Sequence, residues 1–248
     1  MVLLLPFNIF LSTSCEDSSN GSGVGPDVPA PLTEWAPVGA KWYYTLSCIN
    51  GPSPSDCDTY YTIESVKDTT VNPGSVQARI LKVQKHNRGK AEALADEITY
   101  GDLNKVYHYD KHLDAFYLLY DFTAGKGDTL KIRTSDFTNY WGNVSNQFIE
   151  VVKEVASFSV NGQDLKQYTT APVVDSDKQL LTEWTYATGG YDATVVQGIG
   201  SMYWMFGGDL LTVAAQHGHL GLRCFEVRGK VVYKDPLFDL DCDYTDNN

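Results

Sequence analysis

Two pairs of histidines are the first candidates for chemistry, because imidazole nitrogens are common metal ligands. His217 and His219 are separated by one glycine, and a strand would place both rings on one face, as a metal site requires. Residues 216–221 are rich in glycine, however, which favours a loop, and no third ligand is close in the sequence. His108 and His112 lie on either side of a predicted turn. We therefore expect hydrogen-bonded or exposed histidines, with no metal and no other cofactor.

Alternating acids near the end of the chain suggest calcium as the alternative. Asp239, Asp241 and Asp243 are spaced as in some calcium-binding loops. The glycine that follows the third acid and the bidentate glutamate at the twelfth position are both missing. Asp175 and Asp177 fail the same comparison. A structural calcium ion stays an open alternative.

Sequence signatures of enzymes are absent. The chain has no G-x-S-x-G elbow, no H-E-x-x-H helix, no P-loop and no C-x-x-C pair. The paired carboxylates of glycosidases come from distant strands and leave no local pattern, so a glycan-active hydrolase is the third alternative. We predict a protein without catalytic activity.

A run of aromatic residues at 203–206 is the candidate for ligand binding. Tyr203, Trp204 and Phe206 are nearly consecutive and precede two glycines, so they cannot all point inward from one strand. They can form a stacking platform for a glycan or an apolar small molecule, or a loop that closes the end of the sheet. Both interpretations stay open, as does a purely structural or adhesive protein without a small-molecule site.

The start of the chain predicts export and a lipid anchor. Residues 1–11 are uncharged and mostly apolar, and small residues lead to Cys15, although no lysine or arginine precedes Lys41. The stretch resembles the lipobox of bacterial lipoproteins, in which the cysteine is acylated and becomes the first residue. The resemblance implies a signal peptide at 1–14, and a lipidated Cys15 with a flexible tether at 15–31.

The residues after Cys15 indicate where such a lipoprotein would be placed. Glu16 and Asp17 resemble the export signal that sends lipoproteins of this type to the outer face of the outer membrane. The tether at 15–31 is rich in serine, glycine and proline, a composition that cannot bury a core. We expect the remaining residues, 32–248, to form a single all-β domain beside the membrane.

The cysteines fit this interpretation. There are five, and an odd number in a secreted protein calls for an explanation. With Cys15 acylated, two sequence-local pairs remain, Cys48 with Cys57 and Cys224 with Cys242. Zinc is the rival explanation, but no C-x₂₋₄-C spacing occurs. We favour two disulfides, which require an oxidising compartment.

Net charge excludes some partners. The chain has 19 basic and 31 acidic residues and a net charge of −12. Nucleic acid binding and adhesion to anionic lipid both depend on clustered lysine and arginine. We expect neither, so the predicted partners are a membrane, through the lipid anchor, and a glycan or apolar ligand. The sequence does not indicate an oligomeric state.

Strand and turn signals recur every 8–12 residues, as in sandwiches and barrels. Residues 76–83 alternate between apolar and polar, and Asn161-Gly162 predicts a two-residue hairpin turn. The segment 90–97 (KAEALADE) predicts one short helix. The predicted fold is an all-β antiparallel meander forming an open barrel, with a two-sheet β-sandwich as the alternative.

Three segments resemble a group of uncharacterised secreted and surface lipoproteins of the Bacteroidota type. They are the opening at 35–44 (WAPVGAKWYY), the segment at 196–201 (VQGIGS), and the closing cysteine region at 222–226 (LRCFE) with 241–244 (DCDY). The resemblance implies a secreted or surface β-protein. It implies no catalytic residue.

Overall fold

The computed structural model describes most of the chain after the predicted tether. The described residues are 30–47, 59–71, 75–87, 89–111, 113–132, 137–138, 144–145, 148–174, 179–180, 193–202, 205, 221–238 and 241–244.

Strands account for all regular structure in the described residues, which contain no helix. They are β1 (Ala40–Ser47), β2 (Thr59–Val71), β3 (Val76–Asn87), β4 (Lys90–Ala93), β5 (Glu97–Gly101), β6 (Lys105–Asp110), β7 (Ala115–Asp121), β8 (Thr129–Ile132), β9 (Phe137–Thr138), β10 (Val144–Ser145), β11 (Phe148–Val160), β12 (Gln163–Val174), β13 (Gln179–Leu180), β14 (Ala193–Val196), β15 (Gly200–Ser201), β16 (Gly221–Val227) and β17 (Lys230–Lys234).

The larger sheet has nine antiparallel strands in the order β17-β16-β1-β2-β3-β5-β6-β7, with β4 paired to the end of β3. Runs of neighbours that follow one another in sequence, such as β1-β2-β3 and β5-β6-β7, make this sheet largely a meander. The smaller sheet has six strands in the order β15-β14-β12-β11-β8, with β13 paired to β12. A separate pair is formed by β9 and β10.

The predicted all-β antiparallel fold is confirmed, and it consists of a half-barrel sheet together with the larger sheet. The hairpin predicted at Asn161-Gly162 joins β11 to β12. Its two residues have φ values of 49° and 77°, the left-handed conformation that a type I′ turn requires. In the described residues, no helix is long and apolar enough to cross a membrane.

The helix predicted at 90–97 is wrong. Lys90–Ala93 forms β4, whose residues are all exposed, and the chain then enters β5 at Glu97. An isolated helix of eight residues is too short to be stable in water. Instead, the backbone groups of β4 form hydrogen bonds with the end of β3. This pairing continues past β4, where Leu94 N donates to Val83 O at 2.9 Å.

One apolar core lies between the two sheets, and Trp42 is at its centre. The Trp42 side chain is fully buried and stacks on Phe225 with ring centroids 4.9 Å apart. Its indole N–H donates to Ile199 O at 2.7 Å, and the Tyr44 hydroxyl donates to Ser201 O at 2.9 Å. Ile199 and Ser201 belong to the turn and strand that close the smaller sheet, so these two hydrogen bonds join the sheets through their shared core.

Glycines allow the 196–201 turn to approach the aromatic core. Gly198 and Gly200 have φ values of 75° and 95°, which disfavour any residue with a side chain. A Cβ on Gly200 would also lie 3.1 Å from the Trp35 ring. The segments 35–44 and 196–201 therefore pack against each other inside the protein, and Phe225 packs against Trp42 there.

We predict that Trp42→Phe lowers the free energy of unfolding by about 1–3 kcal/mol, because it leaves the buried Ile199 carbonyl without its donor. Urea unfolding followed by circular dichroism measures this. Tyr107→Phe, which removes a half-buried polar group from the outer face of the sheet, serves as the control and should change stability by less than about 0.5 kcal/mol. Equal stability of the two variants would contradict the role assigned to Trp42.

Candidate functional site

The aromatic residues proposed for ligand binding, Tyr203, Trp204 and Phe206, lie outside the described residues. Only Met205 of this run is described. Its side chain is buried in the core, and its carbonyl accepts a hydrogen bond from the Tyr120 hydroxyl at 2.5 Å. At this position the chain is therefore attached to the core.

Some of the other cysteine, histidine and aspartate candidates lie among the described residues, and others lie outside them. Cys15, Cys48 and Cys57 lie outside the described residues, as do His112, His217, His219 and Asp239. His108 is described, and its Nε2 lies 2.8 Å from Glu97 Oε2. Asp241 and Asp243 are both exposed. The described part of the chain contains no group of three or more histidine, cysteine or acidic side chains placed to hold a metal ion.

The predicted disulfide between Cys224 and Cys242 is present, with Cα atoms 5.6 Å apart. It ties the last described residues, 241–244, to β16. The pairing of β16 with β1 shifts between Tyr43 and Tyr44, and Arg223 is the residue left over by this bulge. Leu222 and Phe225 face the core on either side of it. The bulge lets Arg223 and Cys224 both lie on the opposite, outer face of the sheet.

Arg223 is 2% exposed and lies among aromatic rings on that outer face. Its guanidinium carbon is 3.9 Å from the centroid of Tyr60 and 4.9 Å from that of Phe238. His86 stacks on Tyr60 with centroids 4.4 Å apart. These are cation–π and stacking geometries, and they fill the space beneath Phe238. We call this arrangement the C-terminal clasp: Arg223, Tyr60, Phe238 and the disulfide.

Burial dominates the electrostatics of the clasp. Desolvation lowers the pKa of Arg223 to about 10, although nearby Tyr60, Tyr43 and Asp243 partly offset it. Desolvation likewise raises the pKa of Tyr60. It lowers the pKa of His86, and the positive charges of Lys41 and Arg223 lower it further. Because Phe238 covers Arg223, the guanidinium is shielded from solvent. It therefore acts as a structural element rather than an open binding site.

A cluster of aromatic rings on the outer face of β5, β6 and β7 is the most open functional candidate. Tyr100 and Tyr107 stack with centroids 4.7 Å apart and planes 9° from parallel. Phe116 packs edge-on against Tyr100 at 4.6 Å and tilted against Tyr109 at 5.1 Å. All four side chains are half-buried. We call these four residues the aromatic platform.

Strand register explains why the platform forms. Tyr100 is paired with Tyr107, and Tyr109 with Phe116, so each ring meets its partner across the strands. Thr99 and Val106 precede two of these rings and are fully buried on the core side. Alternation along each strand then directs Tyr100 and Tyr107 to the opposite face. The platform also raises the pKa of Tyr100, mainly by desolvation.

A bulge in β7 places two consecutive residues on the core side of the sheet. The register shifts between Val106 and Tyr107, which leaves Leu119 as the additional residue. Leu119 and Tyr120 are both buried in the core as a result. Phe116 stays on the platform side. On the same outer face Ile80 and Ile98 are paired and half-buried, so apolar surface continues from the platform toward β3.

A cleft of about 270 Å³ is lined by Trp35, Arg79 and Thr99 as well as by Tyr100. Arg79 pairs with the buried Thr99 across the strands, so these two side chains lie on the core side of the sheet, opposite to the platform rings. Arg79 forms ion pairs there with Asp68 at 2.8 Å and with Glu34 at 3.5 Å. The short Nε–Asp68 distance is not accompanied by hydrogen-bond geometry, so this contact is an ion pair only. Arg79 also donates to the carbonyl of Ala36. These contacts place two exposed carboxylates beside the less exposed guanidinium, and all three groups line the cleft.

Sequence reasoning found none of the platform residues, although it considered His108 between Tyr107 and Tyr109. A signal was available: aromatic residues alternate in β6, and Phe116 and Tyr100 stand in the flanking strands. What the sequence could not supply was the register that brings these rings together.

Comparisons of the chain with protein-family models, with curated proteins and with solved structures find no match.

We predict that replacing both clasp cysteines, in Cys224→Ala/Cys242→Ala, lowers the free energy of unfolding by roughly 2–4 kcal/mol, the usual effect of a disulfide that closes a short loop. Val231→Ala, at an exposed position of the neighbouring strand β17, is the control and should cost little. Chemical denaturation gives both values. A double variant as stable as the control would mean that the clasp contributes nothing to stability.

Proposed function

We propose that this protein is a non-catalytic lipoprotein of the outer membrane surface that binds glycans on its aromatic platform. The observation that carries the proposal is the set of four contacting, half-buried rings on the outer face of β5, β6 and β7. The platform takes the place of the run at 203–206 as the residue set to test first.

The chemistry of the platform favours sugars. A pyranose ring has faces of aliphatic C–H groups and a rim of hydroxyls, so it can stack on aromatic rings while its hydroxyls bond to polar groups nearby. The platform supplies the rings, and the hydroxyls of its three tyrosines supply polar groups beside them. Apolar binding surface combined with a few placed polar groups is the usual composition of a ligand site.

The position of the rings favours an extended ligand over an enclosed one. The described interior is occupied by packed side chains such as Trp42, Phe225 and Tyr120, whereas the platform lies on the outside of the sheet. An open surface on the face of a sheet suits a polysaccharide chain. A protein partner is the alternative, favoured by the apolar continuation at Ile80 and Ile98, and it would make this protein an adhesin.

We predict that Tyr107→Ala and Phe116→Ala each weaken glycan binding at least tenfold, because central aromatic residues carry most of the energy at binding surfaces. Tyr107→Phe keeps the ring and should bind within about twofold of the natural protein. Tyr117→Ala is the matched control, since Tyr117 adjoins Phe116 on β7 but points to the other face. A glycan array followed by isothermal titration calorimetry provides the measurements.

Three outcomes would contradict the proposal in whole or in part. Binding that survives both alanine variants would place the ligand elsewhere on the molecule. Binding lost equally in Tyr117→Ala, together with a lower melting temperature, would assign the rings to stability. Release of shortened sugars during incubation would contradict the non-catalytic part of the proposal.

The anchor is tested separately. The intact mass of the protein purified from its native membrane should correspond to a chain that begins at an acylated Cys15, since two or more acyl chains give stable anchoring. Reduction should add the mass expected for two opened disulfides. Cys15→Ser should move the protein from the membrane to the soluble fraction. An unacylated chain with a free thiol would contradict the anchor.

A further inference from the structure

We infer that the glycan bound on the platform is acidic, and that Lys67 and Lys82 hold the carboxylates of its uronic acid units. This inference rests on the proposed function, because it assigns the substrate class of the same binding surface. It starts from the apolar strip of Ile80 and Ile98, which continues from the platform toward β3 on the outer face of the sheet.

Strand register places both lysines at the end of this strip. Lys67 on β2 is paired with Ile80 on β3, so the two side chains lie on the same face. Lys82 follows Ile80 by two residues on β3 and therefore points to that face as well. The order from the platform outward is Tyr100, Ile98, Ile80 and then the two lysines.

The separation of the lysines from the platform suits an extended oligosaccharide. Neighbouring strands are about 4.8 Å apart, and residues two positions apart on one strand are about 6.7 Å apart. The backbone at Tyr100 is therefore roughly 12 Å from that at Lys67 and roughly 14 Å from that at Lys82. A sugar chain that stacks on the platform and follows the strip reaches both ammonium groups.

Both lysines are exposed and free to bind a ligand. Neither side chain forms an ion pair or a hydrogen bond with a described residue. Lys105, at the start of β6, is by contrast paired with Asp121 at 3.0 Å. A lysine ammonium has three donors and no acceptor, so a carboxylate on the ligand is a suitable partner for each.

Two acids near this surface determine how an acidic ligand would be oriented. Glu64 on β2 is paired with Lys82 across the strands, and with Lys67 these residues carry a local charge of +1 by addition. Asp114 lies at the other end of the platform, where it accepts a hydrogen bond from the Tyr109 hydroxyl. We therefore expect the acidic units over β2 and β3 rather than over the turn between β6 and β7.

The net charge of −12 does not outweigh this local arrangement. At physiological ionic strength the Debye length is about 8 Å, so exposed charges that lie further away are largely screened. A carboxylate beside the two lysines therefore responds mainly to them and to Glu64.

Matched hexasaccharides test this inference by calorimetry at physiological salt. The gluco-, manno- and galacto-configured hexuronates are compared with the neutral hexamers of the same ring configuration. We expect at least one hexuronate to bind at least about fivefold more tightly than its neutral counterpart, the combined effect of two exposed ion pairs. In Lys67→Gln/Lys82→Gln this preference should shrink to less than about twofold. Lys67→Arg/Lys82→Arg retains both charges and should keep it.

The control is Lys131→Gln/Lys234→Gln, which removes the same net charge from two exposed positions on β8 and β17. It should keep the preference for hexuronates. All four lysines are exposed, so none of these variants should unfold the protein.

The outcomes separate this inference from the proposed function. Neutral hexamers that bind as tightly as hexuronates, with binding lost in Tyr107→Ala, would overturn the assignment of acidic units and leave the platform standing. A preference that survives Lys67→Gln/Lys82→Gln, or that is lost equally in the control, would also overturn it. Binding of either kind that does not depend on Tyr107, or no binding to any glycan, would overturn both.

Discussion

The hydrogen bond from the Trp42 indole to the Ile199 carbonyl is the contact on which the architecture depends. It connects the centre of the larger sheet to the turn that closes the smaller one, at 2.7 Å and inside the core. A peptide carbonyl buried there without a donor would be costly. The left-handed glycines at 198 and 200 allow the turn to come close enough for this bond. The core is therefore fixed by a few polar contacts as well as by apolar packing.

This arrangement divides the larger sheet into two faces with different roles. The inner face carries Trp42 and Tyr120 and packs against the smaller sheet. The outer face is covered at one side by the C-terminal clasp, where the disulfide holds Phe238 over Arg223. At β5, β6 and β7, no described segment makes a ring contact over the platform. Within the described residues, the platform is therefore the better candidate for a binding surface.

The sequence predicts the fold class well because strand alternation and turn residues are local signals, as at Asn161-Gly162. The Cys224–Cys242 disulfide was also predictable from proximity in the chain. The helix at 90–97 was mispredicted because local propensity competed with the free edge of β3. The platform was missed because Tyr100 and Phe116 become neighbours only through strand register. Likewise, nothing local connects Glu34 and Asp68 to Arg79, which lie on different elements.

The most direct test of the proposed function is a crystal structure of the protein soaked in a mixture of oligosaccharides. The account predicts electron density for a sugar chain stacked on Tyr107 and Phe116. Density in the interior, or on a surface that includes none of the four platform rings, would contradict it.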